Sequence, residues 1–244
     1  MNRIALLTDF GSTGPYVGQL KTVLHGLVPA IPVIDLISDL PPFRPEWAAY
    51  LLPALIRDLP SDTLYLCVVD PGVGGDRQAL ILQTEKGCFI GPDNGLLAPI
   101  ARAFPEARLD FVRWRPAQLS ASFHGRDLFA PIAAKRLRGE ALETAEINRS
   151  QIIGADWPED CQRIIYGDRY GNMMTGLRAS QLDPAAQIQI KAHRLSFART
   201  FCEVPLGQGF WYENAFGLVE LAVNQGRADQ ALGIRTGDSF SLLN

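Results

Sequence analysis

The 244 residues include 20% charged and 47% hydrophobic side chains and carry a formal charge of −3, an ordinary globular balance with ample core to bury. No basic stripe marks a nucleic-acid surface, no apolar run reaches membrane-spanning length, and the N-terminus runs straight into a strand-like segment, not a signal peptide. The four cysteines form no close pair and the three histidines no cluster, so neither a disulfide framework nor a protein-bound zinc is expected, and the setting reads as reducing and cytoplasmic.

Ile4-Ala5-Leu6-Leu7-Thr8 is a first buried strand, ending at Asp9-Phe10-Gly11. Val17, Leu20, Leu24 and Leu27 recur at helical spacing until Pro29 stops the helix, and the lone His25 on it reads as a packed or surface residue. Val33 to Ile37 is a second strand. A helix then starts near Pro45, a favoured first position, and runs to about Leu59, with Pro53 expected to kink or interrupt it. A third apolar run, Leu64 to Val69, stops at Asp70. Ala79 to Gln83 and Cys88 to Ile90 are further strands, the second leading through Gly91-Pro92-Asp93-Asn94-Gly95 into a short helix, Leu96 to Ala103. After a strand at Leu109 to Val112 comes Ser122-Phe123-His124-Gly125-Arg126-Asp127, where Asp127 is placed to cap a helix from Leu128 to Leu137. Strands alternating with helices predict a layered α/β domain over residues 1–145.

The texture changes after Gly139. Residues 146–160 read as a polar linker, and residues 161–244 as a smaller β domain of barrel type. Its strand candidates are Ile164 to Tyr166, Gln187 to Lys191, Gly209 to Tyr212, Leu218 to Val223 and Ser239 to Leu243.

The chemistry concentrates at strand ends. Asp9 and Asp70 both close apolar strands, so both are expected at the crevice where open α/β sheets bind ligands. Pro71, Gly72, Gly74 and Gly75 turn the chain after Asp70 and bring Arg77 seven residues later. That pair is readable as a structural ion pair or as part of a site. The two carboxylates could take a metal, for which further ligands are missing, or the hydroxyls of a ribose. His124 lies in a pre-helix loop, a position where function is common. Spacing alone does not show that Asp70, Arg77 and His124 meet.

Taken together, Thr8-Asp9-Phe10-Gly11, Tyr16-Val17-Gly18 with Lys21, Val69-Asp70-Pro71-Gly72-Val73-Gly74 with Arg77, Gly91-Pro92-Asp93-Asn94-Gly95, Phe123 to Pro131 and Asp168-Arg169-Tyr170-Gly171-Asn172 resemble, in order, the S-adenosylmethionine (SAM) hydrolases. These are also called SAM hydroxide adenosyltransferases and are relatives of the SAM-dependent chlorinases and fluorinases. The resemblance covers nearly the whole chain. It implies an N-terminal α/β domain, a C-terminal β-barrel, and a homotrimer holding SAM between the N-terminal domain of one subunit and the C-terminal domain of the next. It places Asp70, Arg77 and His124 on the set that orients and activates water. Asp9 falls on the residue holding the ribose hydroxyls and Phe43 near an aromatic position beside the ribose. Asp168 and Asn172 fall on positions for the methionine amine and the adenine, with Phe201 a stacking candidate.

Three positions bear on the methionine end. Gly14 stands where many members have Asp, and Ala215-Phe216 follow Asn214 where many have a serine, so that backbone amides would have to serve the methionine carboxylate; Glu220 keeps an acidic position of the family. The implied reaction is hydrolysis of SAM to adenosine and methionine, with SAM as substrate and no cofactor or metal. Halide transfer is the runner-up: those relatives lack the Asp-Arg-His set, and a carboxylate at the attack site repels a halide. A SAM or adenosine sensor with little turnover is the reading from a different class.

Overall fold

The structure is a computed structural model describing residues 1–243. The chain divides into two compact units, one of residues 1–49 and 58–157 and one of residues 50–57 and 158 onward. Among the described residues no helix is long and apolar enough to cross a membrane.

The first unit is built on one seven-stranded sheet. In chain order it contains β1 (Arg3–Thr8), α1 (Tyr16–Leu27), β2 (Val33–Ile37), the start of α2 (Pro45–Ile56), β3 (Thr63–Val68), β4 (Ala79–Thr84), β5 (Gly87–Pro92), α3 (Ala98–Ala103), β6 (Arg108–Val112), α4 (Ala130–Leu137) and β7 (Thr144–Glu146). The strand order is β2-β1-β3-β5-β4-β6-β7. The ladders among β2, β1, β3 and β5 are parallel, and those from β5 through β4 and β6 to β7 are antiparallel. Every residue of β3 is buried, as a central strand covered on both faces requires. One face packs Ile4, Leu6, Leu64, Leu66 and Ile90 against Leu20 and Leu24 of α1 and Ile132 and Ala133 of α4. The α1 stripe is therefore what binds that helix to the sheet.

Helix α2 ends at Ile56, earlier than the Leu59 expected, and runs through Pro53. Pro53 has no N–H for the carbonyl of Ala49, and Ala49 is where the first unit gives way to the second. Residues 147–157, read from sequence as linker, belong to the first unit. They are held there by the Ile153 N–H to Asp93 Oδ1 at 3.0 Å and by Arg102 Nη2 to the Trp157 carbonyl at 2.5 Å.

The second unit contains β8 (Cys161–Gly167), β9 (Met173–Arg178), β10 (Gln187–Ile190), β11 (His193–Leu195), β12 (Gly209–Glu213), β13 (Leu218–Val223), the short helix α5 (Ala228–Ala231) and β14 (Ser241–Leu243). Asn244, the last residue of the expected β domain, lies outside the described residues. The expected barrel is not shown: the described strands form an antiparallel sheet of four, β12-β13-β9-β8, and one of three, β11-β10-β14, and neither closes. Closure needs a continuous ladder around the ring. Among the described residues the two sheets are joined by isolated bridges, Arg163 to Ser239 and Phe197 to Trp211, and not by a continuous ladder. Their shared core holds Ile164, Ile188, Trp211, Leu221 and Phe240.

Candidate active site

Strands β1 and β3 run parallel with Thr8 opposite Val68, so Asp9 and Asp70 emerge from the same edge of the sheet. The loop after Asp70 folds back on itself through Val73 N–H to the Asp70 carbonyl and Gly75 N–H to the Gly72 carbonyl, at 3.2 and 3.1 Å. Gly74 at the tip has φ +83°, and a Cβ there would meet the Ala121 carbonyl at 2.4 Å. Only glycine fits that close approach in that conformation. The turn returns Arg77 onto Asp70. Nε donates to Oδ1 at 2.9 Å and Oδ2 at 3.1 Å, and Nη2 donates to Oδ2. The Arg77 and Asp70 side chains are only 9% and 5% exposed, and the Arg77 guanidinium lies 5.0 Å from the centre of the Phe129 ring. This is a buried, forked ion pair.

The same Nη2 lies 2.8 Å from His124 Nδ1. A guanidinium has no acceptor, so Nδ1 must accept and the neutral imidazole carries its proton on Nε2. Burial lowers the His124 pKa, the Arg77 charge lowers it further, and Asp70 pulls the other way. His124 opens a π-helical turn, Gly125–Phe129, that leads into α4. This turn displaces Asp127 from the capping role that its spacing suggested. Asp127 Oδ2 accepts the Ser120 N–H at 3.2 Å, and Arg126 binds the same carboxylate at 2.6 and 2.9 Å.

Asp9, Phe43, Asp70 and His124 line one cleft of about 340 Å³ together with Phe10, Tyr16, Phe123 and Gly125. Arg77 stands behind Asp70. The Phe43 N–H donates to Asp9 Oδ2 at 3.2 Å, with Phe43 at φ +61°, a rare backbone for a phenylalanine and one that recurs at ligand clamps. Burial raises the Asp9 pKa; the Phe43 amide offsets part of this and the Asp70 charge adds to it. The rings of Phe10, Tyr16 and Phe123 sit 5.2 to 5.9 Å apart, centre to centre. In the sequence these aromatics fall within the motifs without any mark of a shared site. Periodicity offers no signal for three rings brought together from separate elements.

The remaining predicted residues lie in the second unit. Asp168 accepts the Asn172 backbone N–H at 2.9 Å and its Nδ2 at 3.0 Å. Asn172 and Phe201 line a surface cavity of about 760 Å³ with Tyr170 and Cys202, and Phe201 packs edge-on to Phe210 and Tyr212. Ala215 and Phe216 lie in the turn between β12 and β13. The Phe216 and Leu218 amides both donate to Asn214 Oδ1, at 2.9 and 3.0 Å. Phe216 therefore has no free amide for a carboxylate. Glu220, on the all-buried β13, accepts from Tyr212 OH at 2.8 Å and Asn214 Nδ2 at 2.6 Å. Burial raises its pKa and Asp168 raises it further. Tyr212 and Asn214 escaped the sequence reading because their importance comes from their bonds to Glu220.

Among the described residues no group of three or more His, Cys, Asp or Glu is disposed to hold a metal ion. What the first unit offers is a cleft with two strand-end carboxylates, an imidazole with an N–H donor, and a buried guanidinium tying Asp70 to the histidine. A family model described as the SAM hydroxide adenosyltransferase N-terminal domain matches residues 4–146, and one for the C-terminal domain of the same proteins matches residues 162–241. A Thermus thermophilus protein named (R)-S-adenosyl-L-methionine hydrolase is 36% identical, with all of both chains covered. A protein of the same name from Salinispora arenicola is 33% identical over 97% of this chain and 96% of its own. The crystal structure of an uncharacterized conserved protein from Thermotoga maritima superposes with a TM-score of 0.87 at 28% identity, covering 99% of this chain and all of that one. The chain belongs to the SAM hydroxide adenosyltransferase family.

Proposed function

We propose that the protein hydrolyses the (R) epimer of SAM to adenosine and L-methionine, with Asp70, Arg77 and His124 holding the attacking water. The observation that carries this reading is the single guanidinium bonded to both Asp70 and His124, two residues that line a cleft with Asp9. The sulfonium already makes methionine a good leaving group, so the 5′ carbon needs no cofactor or metal, only an oxygen nucleophile held in line in a dry pocket. Water attacks C5′ as the C5′–S bond breaks, and the bonding pair leaves on sulfur as the neutral thioether. The water proton passes through Asp70 to solvent. Because both Asp70 oxygens already accept from Arg77, Asp70 acts mainly to orient the water and takes the proton late. His124 Nε2–H donates to the same oxygen. Asp9 takes the ribose hydroxyls beside Phe43, and Asp168, Asn172 and Phe201 serve the amine and the adenine. The Ala215 amide is left for the methionine carboxylate. The reading includes a homotrimer in the reducing cytoplasm, a C-terminal domain whose two sheets act as a barrel-like unit, and the (R) preference that the relatives carry in their names.

The test incubates the protein with (R)-SAM and (S)-SAM at low and high chloride and separates the nucleosides by chromatography, with Asp70→Asn alongside. Adenosine is expected from the (R) epimer in both salts, falling about a hundredfold or more in the variant. A chlorinated nucleoside would move the protein to the halide-transferring branch, and bound adenosine without turnover would make it a sensor.

A further inference from the structure

The loop from Asp70 to Arg77 is gripped at both ends by Asp93 and Asn94, which follow β5. On the near side, Asn94 Nδ2 donates to the carbonyl of Val69, the residue before Asp70, at 2.8 Å. On the far side, the Asp93 N–H donates to the carbonyl of Gln78, the residue after Arg77, at 2.9 Å. Val69 is fully buried and lies beyond the end of β3, where its carbonyl has left the region paired with β5, so the Asn94 amide stands in for the missing strand partner. The end of β5 can approach β3 this closely because residue 91 is glycine: a Cβ there would meet the Cys67 carbonyl at 2.5 Å. Asn94 is itself oriented by the Leu96 N–H, which donates to its Oδ1 at 3.3 Å.

We propose that Asn94 is a positioning residue for the reaction, acting through Val69 to fix Asp70 and, with Asp93, to clamp the loop that returns Arg77 to Asp70 and His124. It does not line the cleft, so its effect on rate must pass through the placement of Asp70 and Arg77. A buried carbonyl that loses its donor is left unsatisfied, and the loop can then relax outward. Displacing a catalytic group by about an ångström costs on the order of a hundredfold in rate.

The kinetic part of this inference rests on the hydrolase reading, so the test has a second arm that needs no substrate. Asn94→Asp keeps the shape, removes the Nδ2 donor and sets a carboxylate against the Val69 carbonyl. Adenosine formation from (R)-SAM is expected to fall about ten- to a hundredfold in kcat, with KM within about twofold, since no group touching substrate is lost. NMR titration of the free protein reports Arg77 at His124. In Asn94→Ser, which brings no charge that would itself favour the imidazolium, the His124 titration is expected to move up toward the ordinary histidine value as Arg77 slackens. An unchanged kcat, or an unchanged His124 titration whatever the rate, would overturn the proposal. If Asn94→Asp fails to fold, Asn94→Ser is read for the rate as well. If the wild type does not hydrolyse SAM, the hydrolase reading fails and the His124 titration still decides the role of Asn94.

Discussion

Arg77 has two partners of opposite character, and this determines the state of each. Its fork on Asp70 neutralises a carboxylate that is almost wholly buried, and its bond to His124 excludes an imidazolium, because a protonated Nδ1 would face a donor with no lone pair. Removing one member of such a pair strands the other. Asp70→Ala would leave the Arg77 guanidinium buried without its counter-ion, a loss of about 3 kcal/mol or more, and would confuse unfolding with lost chemistry, which is why Asp70→Asn is the better probe. The same geometry sets a pH dependence. His124 must be neutral to hold its place, and its pKa is lowered by burial and by Arg77. Activity should therefore persist as the pH falls past the ordinary histidine value of about 6.5 and decline only below it, as His124 takes a proton. A kcat profile from about pH 4.5 to 9, compared with the NMR titration of His124, checks this. A His124 titration at or above 6.5 would contradict the bond to Arg77.

At the scale of the element, β13 combines a strand buried along its whole length with a carboxylate in its middle. Glu220 has only neutral donors, Tyr212 and Asn214, and burial followed by Asp168 raises its pKa. A carboxyl whose folded value is raised favours the protonated form. Its contribution to stability is full below the unfolded value and is lost as pH rises through the folded one. Glu220→Gln should therefore raise Tm at neutral pH, with the gain shrinking toward pH 4, as thermal melts across that range would show. A uniform loss of Tm at every pH would mean that the carboxylate shape, not its charge, is what β13 requires. This strand and the β1, β3 and α1 segments were legible in sequence, because each is a run or stripe of apolar residues with a clear stop. β9 was not, since Met173-Met174-Thr175-Gly176 has neither β-branched density nor alternation, yet it is buried and central in its sheet. The turn at His124 was legible as a helix start but not as a π-turn, because nothing local distinguishes Asp127 as a cap from Asp127 as the partner of Arg126. The proximity of Asp70, Arg77 and His124 came only through the resemblance: Arg77 and His124 are 47 residues apart, and no short-range pattern reports a contact of that reach.

For the whole molecule, the groups assigned to water and ribose lie in the first unit and those assigned to the amine and adenine in the second. The exposed aromatic side chains divide in the same way. Tyr16 and Phe43 are 50% and 72% exposed at the first cleft, and Tyr170 is 76% exposed at the second cavity. In the proposed trimer, each site takes its first-unit residues from one subunit and its second-unit residues from the next, and this makes a prediction that a self-contained monomer does not share. Asp70→Asn and Asp168→Ala are each expected to be nearly inactive alone. When the two variants are unfolded, mixed in equal amounts and refolded, random assembly into a ring of three gives an intact pair at about a quarter of the junctions. Adenosine formation should therefore return to about a quarter of the wild-type rate, with the complex eluting at the trimer mass. A mixture that stays inactive while forming trimers would place the whole site within one chain. Recovery at the monomer mass is impossible on either arrangement, because no single chain in the mixture carries both intact residues.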